Sequence, residues 1–285
     1  MKITLLGTGG PRPDPNRMAA ATLVTVGDDH LLFDAGRGVM VQLVRAGVPL
    51  DRIGPVFVTH HHFDHIGDLY DVMLNSWIAG RKVPLSIYGP PETGRIVEAL
   101  TGRVYDKDIA WRSLGEPTFG GWKPIEVHDV VAGPVVDTGR WKVSAEVVRH
   151  GDGLGLPPAF LARWTCLGYR LEAEGKVVAI SGDTVACDGL DRLATGADVL
   201  VQVCFLARSE IRGAHFERLA EHTLACADTV GRIAAKAGVK TLVLTHHRPR
   251  LDEADARARA EIAEDVARDF SGRIVLAHDL MEIEV

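Results

Sequence analysis

The stretch Val56-Phe-Val-Thr-His-His-His-Phe-Asp-His65 decides the reading of this chain. A short apolar run ends there, and the metal-capable side chains His60, His62, Asp64 and His65 follow at once. Residues two apart on an extended backbone point the same way, so His60 and His62 project together. His61 and Phe63 then turn away and read as packing or ligand-supporting residues. Asp64 and His65 arise from the turn into the next helix. Imidazole with carboxylate suits zinc, and also manganese or iron. The alternative is a polar loop that happens to be rich in histidine, and it leaves the strand-end placement unexplained.

Four ligands are too few for two closed metal sites, so the remainder is expected at the tips of other apolar strands. His150 follows the run Val143–Val148. Asp183 lies in Ile180-Ser-Gly-Asp-Thr184, and His246 ends Thr241-Leu-Val-Leu-Thr-His246. Alone, each reads as an ordinary loop residue. Together with the first motif they point to one shared pocket.

Working outward, short β-branched runs recur between Gly and Pro punctuation. Strands are expected at Lys2–Leu6, Thr22–Val26, His30–Phe33, Val56–Val58, Leu85–Tyr88 and Val143–Val148. Further ones are expected at Gly168–Leu171, Lys176–Ile180, Val199–Val203, Thr241–Leu244, Arg273–Leu276 and Met281–Val285. Helical spacing marks Gly38–Ala46, Asp68–Ile78, Glu92–Leu100, Leu224–Lys236 and Asp252–Asp269. Strands followed by helices, twice over, predict two facing sheets with helices outside, an α/β (α+β) chain. Residues 1–285 carry no residue-level repeat and no low-complexity linker, so one domain is expected. Arg103–Arg140 and Gly151–Pro158 read as irregular loops of the kind that form lids or substrate walls.

The 285 residues are 46 % hydrophobic and 25 % charged, the balance of an ordinary globular protein. A formal net charge of −6 with dispersed basic residues disfavours a nucleic-acid partner, which usually meets a basic stripe. The four cysteines, Cys166, Cys187, Cys204 and Cys226, form no CxxC pair and read as free thiols of a reducing compartment. No signal core and no membrane-length apolar run is present, so a cytoplasmic protein without membrane association is expected.

Gly7-Thr-Gly-Gly10, Leu32-Phe-Asp-Ala-Gly36, Thr59–His65, His150, Ser181-Gly-Asp-Thr184 and Thr245-His246 occur in an order that resembles the metallo-β-lactamase superfamily. The resemblance spans nearly the whole chain and implies a four-layer αββα sandwich. It implies that His60, His62 and His150 bind one metal, that Asp64, His65 and His246 bind the other, and that Asp183 bridges them. Two zinc ions are the implied cofactors, with manganese or iron as substitutes. Asp34 matches a position that orients ligands, and its plainer reading is a turn aspartate.

Within the superfamily the chain is most similar to the ribonuclease Z and arylsulfatase-like branch, through Leu6-Gly-Thr-Gly9 with Arg17, Glu221-His-Thr223, Ala237–His246 and Ala277–Met281. His222 matches that branch's extra histidine, which acts near the leaving group, and it is expected just before a helix. Asp64 and His222 are therefore the catalytic candidates. The branch's His-Glu-Ala-Thr segment is replaced here by Gln202-Val-Cys-Phe205, and the long Gly/Pro-rich arm is not evident. Asp71–Arg81 and Leu85–Pro91 look closer to arylsulfatase-like members.

The expectation drawn from this is a dinuclear hydrolase whose metal-bridging hydroxide cleaves a small ester, a sulfate or phosphodiester, as a homodimer. A ribonuclease Z-type tRNA 3′ endonuclease and a lactone or carboxylic-ester hydrolase are the enzymatic alternatives. A non-catalytic metal-binding protein is disfavoured by the complete ligand set. Phe160, Trp164 and Trp111 are candidate pocket contacts, with Arg163 available for an anion.

Overall fold

The computed structural model describes residues 1–116, 118, 121–250 and 252–285. Residues 117, 119 and 120 of the stretch expected to be irregular lie outside the described residues. Among the described residues, fourteen strands form two sheets. They are β1 (Lys2–Gly7), β2 (Ala21–Val26), β3 (Asp29–Phe33), β4 (Ile53–Phe57), β5 (Leu85–Gly89), β6 (Ile125–Asp129) and β7 (Gly133–Asp137). The later strands are β8 (Trp141–Val148), β9 (Cys166–Ala173), β10 (Lys176–Ile180), β11 (Val199–Val203), β12 (Thr241–Thr245), β13 (Arg273–Leu276) and β14 (Met281–Glu284). The helices are α1 (Val39–Arg45), α2 (Phe63–Ile66), α3 (Leu69–Ile78), α4 (Thr93–Ala99), α5 (Asp106–Gly115), α6 (Pro158–Leu161), α7 (Asp188–Ala194), α8 (Gly213–His222), α9 (Val230–Ala237) and α10 (Asp252–Ala267).

One sheet runs β14-β1-β2-β3-β4-β5-β6 and the other β13-β12-β11-β10-β9-β8-β7. Each has an antiparallel part, β14 to β3 or β7 to β10, and a parallel part, β3 to β6 or β10 to β13. The central strands are covered on both faces, which is why they read as unbroken apolar runs. Ile3, Val24, Phe33, Phe57, Tyr169, Val178, Val201 and Val243 fill the space between the sheets. Leu23, Leu32, Val56, Leu43 and Val72 join the first sheet to α1 and α3. Leu200, Leu242, Leu193, Ile233 and Ile262 join the second to α7, α9 and α10. The expected αββα sandwich is therefore the fold.

Aromatic rings mark the centre of the inter-sheet core. Phe33 stacks on Phe57 at 4.9 Å, and the Tyr169 ring leans on Phe57 at 5.4 Å. The Tyr169 hydroxyl donates to the Val58 carbonyl at 2.8 Å, just where β4 gives way to the histidine run. Truncating a ring buried to this extent costs about 3–5 kcal/mol.

The differences from expectation have simple causes. β6 and β7 fall inside the stretch expected to be irregular. Both are edge strands, paired on one side only and half exposed, so their sequences need no apolar alternation. The helix expected over Leu224–Lys236 starts only at Val230, and α8, which precedes it, was not anticipated. No residue of α8 is fully buried, so its apolar signal is weak. No helix among the described residues is long and apolar enough to cross a membrane.

Candidate metal centre

Strands β3 and β4 run parallel, as do β10, β11 and β12, so their C-terminal ends share an edge of each sheet. Asp34 follows β3, His60 and His62 follow β4, Asp183 follows β10, and His246 follows β12. β8 is antiparallel to β9, which is antiparallel to β10, so β8 also delivers His150 to that edge. Topology thus gathers residues far apart in sequence.

Two groups of donors result. His60, His62, His150 and Asp183 form one, and Asp64, His65 and His246 the other. The His62 Nδ1 atom is 3.0 Å from His60 Nε2 and 3.1 Å from His150 Nε2. His246 Nε2 lies 3.3 Å from His65 Nε2 and 3.2 Å from an Asp64 oxygen. Asp183 Oδ2 stands between the groups, 3.5 Å from His65, 3.4 Å from His246, 3.9 Å from His150 and 4.0 Å from His60 nitrogens.

The surrounding bonds fix which nitrogen faces inward. Thr59 donates its N–H (2.8 Å) and its hydroxyl (2.9 Å) to the two oxygens of Asp34. With its proton used, the Thr59 oxygen accepts from His60 Nδ1 at 3.0 Å. Asp34 also accepts from His65 Nδ1 at 2.8 Å, and the Thr223 carbonyl accepts from His150 Nδ1 at 2.6 Å. The Nε2 lone pairs of His60, His65 and His150 are thereby turned to the cluster. Asp34 sits at φ 61°, a left-handed conformation that aspartate tolerates better than most residues.

These donors fit divalent ions. Nitrogens facing nitrogens at 3.0–3.3 Å cannot all be hydrogen-bonded to each other. Such spacings match the edge of a tetrahedron with bonds of 2.0–2.1 Å, about 3.3 Å. Charge points the same way. Burial lowers the pKa of His60 and His150, and it holds His62 at about 4, so these imidazoles stay neutral. Burial also opposes charge on His65 and His246, but Asp183 outweighs it, helped by Asp34 at His65 and Asp64 at His246, and both are raised. Asp183 is held well below the carboxylate range because His246 and His65 outweigh its burial. Two buried carboxylates therefore face protons where cations would serve.

All seven donors named from the sequence come together, and His61 turns away as expected, to Thr93 Oγ1 at 2.8 Å. Phe63 does not pack: it is 60 % exposed and lines a cavity over the cluster. His222 ends α8 rather than preceding a helix. Its ring lies against Gly153, where an added Cβ would sit 2.1 Å from Nδ1. Trp164 leans on His62, ring centroids 4.8 Å apart and tilted by 47°, and donates to the His150 carbonyl at 2.9 Å. Phe160 stacks on Trp164, whereas Trp111 stands exposed on α5. Arg163 is not available for an anion, because Glu92 accepts two hydrogen bonds from it, each 2.6 Å. Thr59 and the Thr223 carbonyl were not anticipated. Thr59 could have been found from its place beside His60, but a backbone carbonyl leaves no trace in sequence.

Comparison with known proteins places this site in context. The family description "Beta-lactamase superfamily domain" matches residues 29–247. Ribonuclease Z of Mycobacterium bovis is 37 % identical over 100 % of this chain and 98 % of its own length. Ribonuclease Z of Mycobacterium marinum is 35 % identical, over 100 % and 99 %. Two solved structures share the fold across all of this chain and 99 % of their own. They are the metallo-β-lactamase fold protein YhfI of Bacillus subtilis (20 % identity, TM-score 0.74) and the human short-form tRNase Z (23 %, 0.70).

The full-length relatives named ribonuclease Z overturn the expectation of a small-ester hydrolase with a small-molecule ester partner. That expectation leaned on the departure at Gln202 and Val203, which are 0 % and 1 % exposed within β11. Residues facing the interior say little about what binds at the mouth. The fold implies a divalent metal centre. This chain belongs to the metallo-β-lactamase superfamily and is a metal-dependent hydrolase of the branch that holds the proteins named ribonuclease Z.

Proposed function

We propose that this chain is a ribonuclease Z-type endonuclease, cutting precursor tRNA at its 3′ side. The observation that carries this reading is the 37 % identity with a ribonuclease Z along the full length of both chains. His60, His62 and His150 would hold one ion, Asp64, His65 and His246 the other, and Asp183 both. Zinc is the first candidate, since imidazole and carboxylate donors at tetrahedral spacing suit it. Ions held there supply Lewis acidity and lower the pKa of bound water toward neutrality.

The chain's own groups do the positioning. Asp34, Thr59 and the Thr223 carbonyl fix the tautomers of His65, His60 and His150. Asp64, kept ionised by His246 and His65 against its burial, orients the attacking water. The water oxygen bonds to phosphorus and passes a proton to the Asp64 carboxylate, one P–O ester bond breaks, and His222 gives a proton to the departing oxygen. The same reading takes residues 1–285 as one domain, supported by β14 completing the first sheet beside β1. A cytoplasmic homodimer is part of it, in keeping with four cysteines that form no disulfide.

The test is cleavage of a precursor tRNA by zinc-loaded protein, compared with aryl phosphodiester and aryl sulfate, and repeated with Asp183→Ala. Precursor should be cut at one position near the mature 3′ end. Binding should weaken with salt as phosphate contacts are screened. The Asp183→Ala protein should lose metal and cleavage together. Turnover of small esters with intact precursor would refute the assignment.

A further inference from the structure

The donors form the floor of a cavity of about 290 Å³ whose walls are apolar apart from Thr223. Pro11 and Phe63 supply one side from the first half of the chain. Phe205, Leu219 and Leu224 supply the other from the second half. Phe63 sits between two floor residues, His62 and Asp64, and belongs to none of the packed cores. Across the floor, the Phe205 ring lies 6.0 Å from the His246 ring. A phenylalanine left largely in water gives up most of the burial that makes it a core residue. Its place at the rim of a metal site therefore calls for an occupant.

We propose that this apolar collar is a stacking slot for the unpaired nucleobase next to the scissile phosphodiester, with Phe63 as its platform. The inference rests on the endonuclease reading and adds how that site reads its substrate. The charged floor suits the phosphodiester, and a base hangs from it by a single sugar. The wall side chains Pro11, Phe63, Phe205, Leu219 and Leu224 carry no hydrogen-bonding group. They can grip the face of any base, and the Thr223 hydroxyl is the polar wall group left for its edge. A base already paired and stacked in a duplex cannot enter such a slot. The collar therefore selects single-stranded nucleic acid at that position.

The test uses the metal-loaded full-length enzyme and precursor tRNA carrying either an ordinary or an abasic nucleotide, placed in turn on each side of the cleavage site. Wild type is compared with Phe63→Ala, Phe63→Leu and Phe63→Trp. Metal content is measured for each, because His62 and Asp64 flank the position, and rates are compared per metal-loaded site. Phe63→Ala should lower kcat/KM on the ordinary substrate by about 5- to 150-fold, the fold-change that one base–aromatic stack supports. Phe63→Trp should keep the rate, and Phe63→Leu should fall with Phe63→Ala. One of the two abasic substrates should slow wild type by the same factor and Phe63→Ala no further. A Phe63→Ala rate within about twofold of wild type, far inside the stacking range, would overturn the proposal. So would an equal loss on both abasic substrates, or full activity of Phe63→Leu. If wild type leaves the ordinary precursor uncut, the endonuclease reading itself fails and the slot falls with it. That result appears before any variant is compared.

Discussion

Asp34→Asn tests how the site is held together, because it changes one atom of a buried hub. Asp34 is 5 % exposed and accepts from Thr59 N–H, Thr59 Oγ1–H and His65 Nδ1–H. Asparagine tolerates the left-handed backbone at φ 61°, so the conformation survives. It offers only one acceptor oxygen. With that oxygen toward His65, the amide NH₂ confronts the Thr59 N–H, donor against donor. With the amide flipped, NH₂ donates to His65 Nδ1, moving the ring proton to Nε2 and removing the lone pair aimed at the cluster. The first arrangement leaves a buried donor unsatisfied, costing about 1–3 kcal/mol. The second weakens metal binding by about 10- to 100-fold, the usual effect of losing a ligand's supporting partner. Urea unfolding of chelator-treated protein reads the first, and competition with a chromogenic chelator reads the second. A variant that matched wild type in both would refute the claim that Asp34 sets the His65 tautomer.

Three further outcomes follow from the same contacts. Gly153→Ala places a Cβ against the His222 ring and should lower turnover by about 10²–10⁴-fold, as loss of a proton donor would, with metal content unchanged; wild-type turnover would remove His222 from the mechanism. Arg163→Ala frees Glu92, whose carboxyl the guanidinium holds at about 2, and should speed amide exchange across residues 151–164 without loss of metal; unchanged exchange would mean the pair does not tether that loop. Chelator-treated protein should unfold at lower urea at pH 5 than at pH 7. Folded pKa values of His30, His60, His61, His62, His150 and His247 lie below the unfolded 6.5, so the unfolded chain binds more protons as pH falls from 6.5 toward 4. His65 and His246 shift upward and oppose this, as do the carboxyls of Asp71 and Asp279, which burial raises; a higher midpoint at pH 5 would show that they dominate.

The sequence by itself determined the local half of the site and the layer order. Spacing of two along an extended chain is enough to pair His60 with His62, and strand tips are recognisable because an apolar run stops at a polar residue. The central strands were legible because burial on both faces leaves no choice but apolar residues. The edge strands β6 and β7 and helix α8 were not, since a half-exposed element satisfies its backbone whatever its side chains. Three matters belonged to tertiary structure alone. Parallel packing of β10, β11 and β12, with β8 running the same way, brought His150, Asp183 and His246 to His60. Contacts across more than 20 residues, such as Asp34 with Thr59 and Thr223 with His150, chose which ring nitrogen faces inward. Phe63 went to the rim of the cavity, reversing the packing role that its local position implied, and Gln202 lies buried within β11. The reason is the same in each case: alternation fixes which way a side chain leaves its strand, while what it meets depends on chain segments that arrive later.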